Sequence, residues 1–282
     1  MPVNTLGPTF MVAQRLVADQ AARRARSMVA QDLTGRKPRR AYDWTQHFAA
    51  GQQGFVLMPG RIETLFQDIA GTERVTSVGQ PVARILDISG RGNHFSAQVI
   101  GEAPLFQRDG SLRERLQFDG TDFLSGPALS DSPNEQMCVV VGIAADTNNH
   151  RVILSGGSGS DYLHQDLVSN TYSYRGSGNA SNQVDTPASY SGTRRLVVSG
   201  LSNVSAASPR LEIRVNGAFR ASAAVSSNTF QSSELYRVGI PQGEGSRFLG
   251  SVYGIFLRHG PLPSQSELTA IETAMNEATG AY

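Results

Sequence analysis

The 282-residue sequence has little of what several common protein classes require. Cys138 is the only cysteine, so no disulfide can form within the chain and a disulfide scaffold is excluded. Only 17% of residues are charged and the formal net charge is +1, which excludes a highly charged disordered chain. No apolar run approaches the roughly 20 residues that cross a bilayer, and the N-terminus lacks a basic region followed by an apolar stretch. We therefore expect neither a membrane span nor a standard secretory signal.

Turn-forming residues are plentiful instead, with 29 glycines and 13 prolines. Residues 210–215 alternate apolar and charged side chains, as a half-buried strand does, and Asn216-Gly217 then suits a two-residue hairpin turn. Residues 137–145 lack this alternation, which indicates a central strand covered on both faces. The predicted strands are 116–119, 137–145, 151–155, 171–175, 194–200, 210–216, 219–225, 235–239 and 247–257. Many short strands separated by turns predict an all-β sandwich or barrel.

A helix is predicted near the end of the chain, over residues 265–279. Ser264 and Glu267 have the spacing of a capping box, in which each side chain bonds to a free backbone N–H of the first turn. Gly280 is placed to end the helix. The predicted buried stripe consists of Leu268, Ile271 and Met275.

The first 40 residues differ from the rest in charge. They contain eight basic and two acidic side chains, whereas the remaining 242 residues contain 17 basic and 22 acidic ones. Apolar spacing predicts a helix over residues 9–33, and the chain then passes through GRKPRR at residues 35–40. The sequence therefore predicts a basic helical arm and linker over residues 1–50 and a β-domain over residues 51–282.

We expect this arm to dock on an acidic face of a neighbouring protein, since arginine forms bidentate pairs with carboxylates. Nucleic acid is the less favoured partner, because few aromatic residues lie among the charges. The candidate docking residues are Arg15, Arg23, Arg24, Arg26, Arg36, Lys37, Arg39 and Arg40.

Three segments in order resemble a known family. Residues 65–98 (LFQDIAGTERVTSVGQPVARILDISGRGNHFSAQ) resemble the entry segment of concanavalin-A-like (laminin-G-like) jelly-roll modules in bacteriophage and prophage structural proteins. Residues 115–124 (RLQFDGTDFL) resemble the strand and turn that follow. Residues 211–222 and 235–276 are similar to the closing hairpin, core strands and short helix. The resemblance covers residues 60–279 and implies an antiparallel jelly-roll sandwich with a short C-terminal helix, while the N-terminal helical arm has no counterpart.

The same segments fit this fold on physical grounds. Gly90 and Gly92 suit positive φ angles in an irregular turn, and Asp119-Gly120 suits a turn between core residues Phe118 and Phe123. Two facing sheets would bury Leu116, Phe118, Val139, Val141, Ile153, Val197, Leu211, Ile213, Val215, Val252, Ile255 and Leu257.

Catalytic and metal-binding patterns are scarce. Related jelly-roll glycosidases carry an E-x-D-x-x-E run, and this sequence has none, so we predict that the protein is not an enzyme. Asp119 and Asp122 are interpreted as turn residues, with calcium as the alternative. No cofactor is expected. The histidines show no zinc-ligand spacing; they are His47, His94, His150, His164 and His259.

A glycan-binding site is the favoured chemistry. Aromatic rings stack on sugar rings, and Asn, Asp and Arg side chains form hydrogen bonds with hydroxyls. Alternatively, the tyrosines form one face of an ordinary strand. The candidate glycan-binding residues are Tyr162, His164, Tyr172, Tyr174 and Arg175.

The function predicted from the sequence is that of a phage or phage-like virion protein. The arm would contact other virion proteins in a homo-oligomer, and the jelly-roll would bind host surface polysaccharide as a decoration, fibre or spike element. The expected location is the virion, assembled in the host cytoplasm. The alternatives are a purely structural, stabilising subunit without a ligand and, less favoured, a glycan-cleaving enzyme.

Overall fold

A computed structural model describes most of the chain after the basic arm. Residues Trp44–Tyr282 form one compact unit. The predicted helix over residues 9–33 and the eight basic docking residues lie outside the described residues. The described residues are 42–49, 51–129, 136–145, 151–156, 161–165, 171–175, 183–187, 190, 194–203, 210–224, 235–240 and 247–282.

Within these residues the strands form two antiparallel sheets. The eight strands of sheet 1 are β1 (Gln53–Leu57), β5 (Leu105–Arg108), β6 (Glu114–Asp119), β8 (Gln136–Ala145), β13 (Arg195–Asn203), β14 (Arg210–Val215), β15 (Ala218–Ala224) and β17 (Leu249–His259). Their order across the sheet is β15-β14-β13-β8-β17-β6-β5, and β1 pairs with the second half of β17.

Sheet 2 has nine described strands. They are β2 (Leu65–Phe66), β3 (Arg84–Ile85), β4 (Phe95–Ser96), β7 (Leu124–Ala128), β9 (Arg151–Ser155), β10 (Asp161–Gln165), β11 (Tyr172–Arg175), β12 (Gln183–Asp185) and β16 (Leu235–Val238). Their order is β12-β11-β10-β9-β16-β7-β4-β3-β2. The helical elements are short 3₁₀ turns at Thr45–His47, Ile62–Thr64 and Ile100–Glu102, and the helix α1 (Gln265–Thr279). The predicted all-β sandwich and C-terminal helix are confirmed.

The main core lies between the two sheets. Phe55 and Phe95 pack with ring centroids 4.6 Å apart, and Phe118 packs edge-on to Phe248 at 5.8 Å. The core residues predicted from the sequence are all buried. Val197 differs from the others in the face of the sheet that it occupies. Its neighbours Leu196 and Val198 join the core between the sheets, while Val197 lies on the opposite face of sheet 1.

Helix α1 covers part of the outer face of sheet 1, so β8 is buried on both faces as predicted. Glycine permits the close approach. A Cβ atom on Gly142 would lie 2.2 Å from Thr279 Oγ1 and 3.2 Å from Met275 Sδ. The predicted helix stripe of Leu268, Ile271 and Met275 is buried at this contact.

The two ends of α1 agree with the prediction in part. Ser264 Oγ accepts a hydrogen bond from the Glu267 backbone N–H at 3.2 Å, and Gly280 ends the helix with φ 63°. The reciprocal half of the capping box is wrong. The Glu267 carboxylate instead accepts a hydrogen bond from Arg258 at 2.6 Å and lies 2.9 Å from His47 Nδ1, because the Arg258 guanidinium attracts it more strongly than an amide does.

Two predicted turns have the expected backbone. Asn216 and Gly217 join β14 to β15 with φ angles of 52° and 74°, which confirms the hairpin. Gly90 and Gly92 have φ angles of 83° and 76° in the irregular turn before β4. Asp87 organises that turn, since its carboxylate accepts hydrogen bonds from backbone N–H groups of three residues: Val56, Ser89 and Asn93.

No described helix is long and apolar enough to cross a membrane.

Candidate ligand-binding site

The aromatic cluster predicted to bind glycans does not form an exposed surface. His164, Tyr172 and Tyr174 are buried, and burial raises the pKa of the Tyr172 hydroxyl. The Tyr174 ring lies so close to Gly200 that a Cβ atom there would come within 2.4 Å of it. Both tyrosines belong to the core between the sheets, where no sugar can stack on them, so we no longer assign them as glycan contacts.

The other two candidates add no aromatic surface. Arg175 is half-buried and donates a hydrogen bond from Nε to Gln183 Oε1 at 2.7 Å. The Tyr162 side chain lies outside the described residues.

A cleft of about 290 Å³ opens on the outer face of sheet 1, beside the C-terminal end of α1. Residues two apart on a strand share a face, so Ala144 lies on the same side as Gly142, which touches the last turn of α1. The cleft is lined by Asp109, Gly110, Ser111, Arg115, Ala144, Arg195, Ser251 and Tyr253.

Asp109 begins the loop between β5 and β6 and organises one wall of the cleft. Its Oδ1 accepts hydrogen bonds from the backbone N–H groups of Ser111 and Arg113, at 2.8 Å and 2.9 Å. Its Oδ2 accepts one from Arg195 Nη1 at 3.0 Å and one from the Tyr253 hydroxyl at 3.3 Å. Partial burial alone would raise the pKa of Asp109, but these N–H groups and the Arg195 charge outweigh it and lower the pKa.

Tyr253 lies at the base of the cleft because of a β-bulge. The register between β17 and β8 shifts between Val252 and Gly254, so Tyr253 is the extra residue and its hydroxyl reaches the loop. Burial raises the pKa of this hydroxyl, which is therefore protonated at neutral pH. Ser251, two residues earlier, donates its hydroxyl to Gln117 Oε1 at 2.9 Å.

Arg115 forms the opposite wall, on β6. Its Nη1 lies 3.5 Å from the Tyr253 hydroxyl, a weak contact, and its buried Nε has no hydrogen-bond partner among the described residues. Within the described part of the chain no carboxylate lies within 4 Å of its guanidinium group. The cleft therefore presents guanidinium donors, a phenol and serine hydroxyls around a floor formed by Ala144, which suits binding of a small polar ligand.

A second cavity of about 210 Å³ lies between the 3₁₀ turn Thr45–His47 and the start of α1. Its charges compensate one another. Arg258 Nη1 donates to Glu267 at 2.6 Å and to the His47 carbonyl at 2.8 Å, and Arg258 Nη2 donates to the Pro261 carbonyl at 2.9 Å. This cluster attaches the start of the compact unit to α1, which is a structural role.

The acidic pair Asp119 and Asp122 forms the turn expected from the sequence. Asp119 Oδ1 accepts from the Thr121 backbone N–H at 2.7 Å, and Asp122 Oδ2 accepts from the Asp119 N–H at 2.9 Å. Burial raises the pKa of Asp122 to about 6, which disfavours the charged form that calcium requires. In the described ranges no three His, Cys, Asp or Glu side chains are grouped to hold a metal ion.

None of the four charged or aromatic residues of the cleft was identified from the sequence. Alternation along RERLQF (residues 113–118) is a usable signal only within β6, where Arg115 and Gln117 flank the core residue Leu116. Arg195 lies 80 positions further along the chain than Arg115, and nothing local connects them.

Comparison with known proteins identifies solved structures of similar fold. No family model and no curated protein matches the sequence. Solved structures do match. The binding domain of botulinum neurotoxin DC, in complex with rat synaptotagmin II, has a TM-score of 0.52 at 12% identity and covers 78% of this chain and 51% of its own.

Two further neurotoxin structures are similar. Botulinum neurotoxin type C, whose cell entry is described as dependent on interaction with two ganglioside molecules, has a TM-score of 0.51 at 13% identity, covering 68% of this chain and 48% of its own. The receptor-binding domain of the C/D mosaic serotype has a TM-score of 0.50 at 11% identity, covering 67% and 48%. The chain thus spans about half the length of these structures. At this identity the likeness shows a shared β-sandwich fold, and it leaves the predicted phage relationship untested.

Proposed function

We propose that the β-sandwich is a binding module for carbohydrate and that the cleft between Arg115, Arg195 and Tyr253 is its binding site. The observation that carries this proposal is the arrangement of the cleft: guanidinium and hydroxyl groups converge on a concavity of about 290 Å³ on the outer face of sheet 1, beside α1. Sugars offer hydroxyl and ring oxygens as acceptors for such groups. The cleft offers no exposed aromatic ring, so hydrogen bonds rather than stacking dominate the proposed contact.

The similarity in fold supports the proposal without identifying a ligand. Of the neurotoxin structures named above, one is described as depending on interaction with two ganglioside molecules for cell entry, and another is in complex with rat synaptotagmin II. Because the identities are 11–13%, their binding residues are not transferred to this chain. The cleft residues are argued from their own chemistry.

The biological setting we propose is a virion of a phage or a phage-like particle. The resemblance of residues 60–279 to jelly-roll modules of phage structural proteins supports it, as does the excess of basic residues in the arm. In this setting the arm docks on another virion protein and the sandwich faces a host polysaccharide.

The test of carbohydrate binding is a screen of the full chain on an array of bacterial and animal glycans. Ala144→Trp fills the cleft without removing a polar group, and we expect it to abolish binding to every glycan that the parent chain retains. Ala224→Trp, on the exposed strand β15, is the matched control and should leave binding unchanged. An array with no bound glycan, or binding that survives Ala144→Trp in a folded protein, would overturn the proposal; the first result favours a structural subunit without a ligand.

The test of docking is separate. Reversing the charges of Arg36, Lys37, Arg39 and Arg40 to glutamate should prevent incorporation of the full chain into particles while the array binding persists. Normal incorporation of this variant would contradict the proposed role of the arm.

A further inference from the structure

We infer that the ligand of the cleft is an acidic saccharide whose carboxylate binds Arg115, with Arg195 as the second cation of the site. This inference deepens the proposed carbohydrate-binding function and rests on it. It follows from counting which hydrogen-bonding groups of the cleft are already used within the protein.

Asp109 is the acidic side chain of the cleft lining, and it is saturated. A carboxylate has about four lone-pair positions, and Asp109 accepts four hydrogen bonds, from Ser111, Arg113, Arg195 and Tyr253. It therefore holds Arg195 and Tyr253 in place and has no capacity left for ligand hydroxyls. Asp109 is a positioning residue.

Two of the three hydroxyl groups of the cleft lining, those of Tyr253 and Ser251, also have partners for their protons. Tyr253 donates its proton to Asp109, and Ser251 donates its proton to Gln117. Both can therefore meet a ligand only as acceptors, and the Tyr253 oxygen already faces Arg115 at 3.5 Å.

Apart from the Ser111 hydroxyl, the unused donors of the cleft lining are cationic. Arg195 has five N–H donors and spends one on Asp109, while Arg115 has no carboxylate partner and a buried Nε with none at all among the described residues. Two guanidinium groups against one carboxylate leave the cleft with an excess of one positive charge. A ligand in the cleft that supplies acceptors to the unused guanidinium N–H groups therefore gains affinity.

Two other arginines on the same face of sheet 1 have carboxylate partners. Arg214 pairs with Glu272 at 2.9 Å, and Arg258 pairs with Glu267 at 2.6 Å. Arg115 has the same outward direction on a neighbouring strand but borders an open cleft. A ligand that enters the cleft can therefore supply the carboxylate partner that Arg115 lacks among the described residues.

A carboxylate attached to a sugar fits this donor set. The planar guanidinium fork matches the two oxygens of a carboxylate in a bidentate pair, and the hydroxyls of the same sugar can donate to Tyr253 and Ser251. Sulfate and phosphate esters share the negative charge, and the experiment separates them from carboxylates.

The experiment measures the affinity of the full chain for matched pairs of glycans. Each acidic glycan of the array, containing uronic or sialic acid, is compared with its carboxyl-reduced derivative, in which the carboxylate is converted to CH₂OH and the rings are unchanged. Sulfated and phosphorylated glycans form a further arm. The variants are Arg115→Gln, Arg115→Lys and, as the control, Arg220→Gln on exposed strand β15, with four strands between β15 and β6 in the sheet.

We expect carboxyl reduction to weaken binding by the parent chain about tenfold or more, since a hydrogen-bonded charge pair is lost. Arg115→Gln should cause a similar loss for the acidic glycan and none for the reduced one, Arg115→Lys should recover part of it, and Arg220→Gln should change nothing. This pattern also distinguishes a ligand contact from a general effect on folding.

Equal binding of the acidic and reduced forms would overturn the inference and leave carbohydrate binding intact. Preference for sulfated or phosphorylated glycans over carboxylates would likewise overturn the assignment of a carboxylate. An array without any bound glycan removes the proposed function itself, and with it this inference.

Discussion

The outer face of sheet 1 has two halves that handle arginine in different ways. Under α1, Arg214 is buried and its charge is met by Glu272, whose carboxylate also accepts from Ser199 at 2.8 Å. Beyond the end of α1, at the edge of a cleft, Arg195 pairs with Asp109, while Arg115 has no carboxylate partner among the described residues. Strands β8, β13 and β17 run through both halves, so the difference lies in what covers them.

This contrast separates a structural cluster from a candidate binding site. A buried ion pair is tolerated when each charge has a partner, as it has under α1. An arginine left with unused donors at an open cleft contributes little to the fold and is available for a ligand. The predictions that follow compare the two halves, and each asks whether a change affects the fold or the cleft.

The largest effect on stability is expected for Glu272→Ala in the covered half. The substitution removes the buried carboxylate that pairs with Arg214 and leaves its guanidinium only the longer contact to Glu212 at 3.4 Å. Breaking a buried ion pair in this way typically costs about 3–5 kcal/mol of unfolding free energy. Urea unfolding measures this loss of unfolding free energy. The double variant Arg214→Met/Glu272→Leu removes both charges and should recover most of the loss; a loss that persists in the double variant would show that the ion pair is not its cause.

A smaller effect is expected for Gly142→Ala, which tests how closely α1 approaches sheet 1. The added Cβ would lie 2.2 Å from Thr279 Oγ1, so the helix must shift, at a cost of about 1–3 kcal/mol. Gly101→Ala is the matched control because no atom lies within 4 Å of its added Cβ. Thermal unfolding that gives equal stability for the two variants would contradict the packing described for α1.

Asp109→Asn should cost about 1 kcal/mol at neutral pH, because charge-assisted hydrogen bonds become neutral ones. The pKa of Asp109 is lowered in the folded protein, so its contribution is present above the unfolded pKa of about 3.9 and is lost as the pH falls through the folded value. The difference between parent and variant in urea unfolding should thus shrink from pH 7 to pH 3. A difference that is the same at both pH values would argue against a stabilising charge on Asp109.

The smallest effect on stability is expected for Arg115→Gln in the open half. Because this guanidinium has no carboxylate partner in the described structure, unfolding free energy should change by no more than about 0.5 kcal/mol. A loss of several kcal/mol would place Arg115 among the structural residues of the covered half.

Local sequence patterns predicted much of the fold. Alternation in residues 210–215 and the turn residues Asn216 and Gly217 specify a hairpin by themselves, and the structure confirms it. The short strands β2, β3 and β4 were not predicted, because two residues are too few to show a period. Arg214 was predicted to face away from the core; it does, but α1 covers it, and no local pattern reveals that contact.

Local sequence patterns do not predict the candidate site. Tyr172 and Tyr174 looked like exposed strand residues because their alternation marks one face without saying which face is buried. The cleft instead combines a loop after β5 with β6, β13 and a bulge in β17, and only the order of strands in sheet 1 brings these together. Strand order is a non-local property of the chain.

The most direct test of the central claim is a crystal structure of the full chain with the acidic glycan that binds it most tightly. The account predicts the sugar carboxylate within about 3 Å of the Arg115 guanidinium, with Arg195 still paired to Asp109. A glycan bound elsewhere on the sandwich, with the cleft beside Arg115 unchanged, would contradict it.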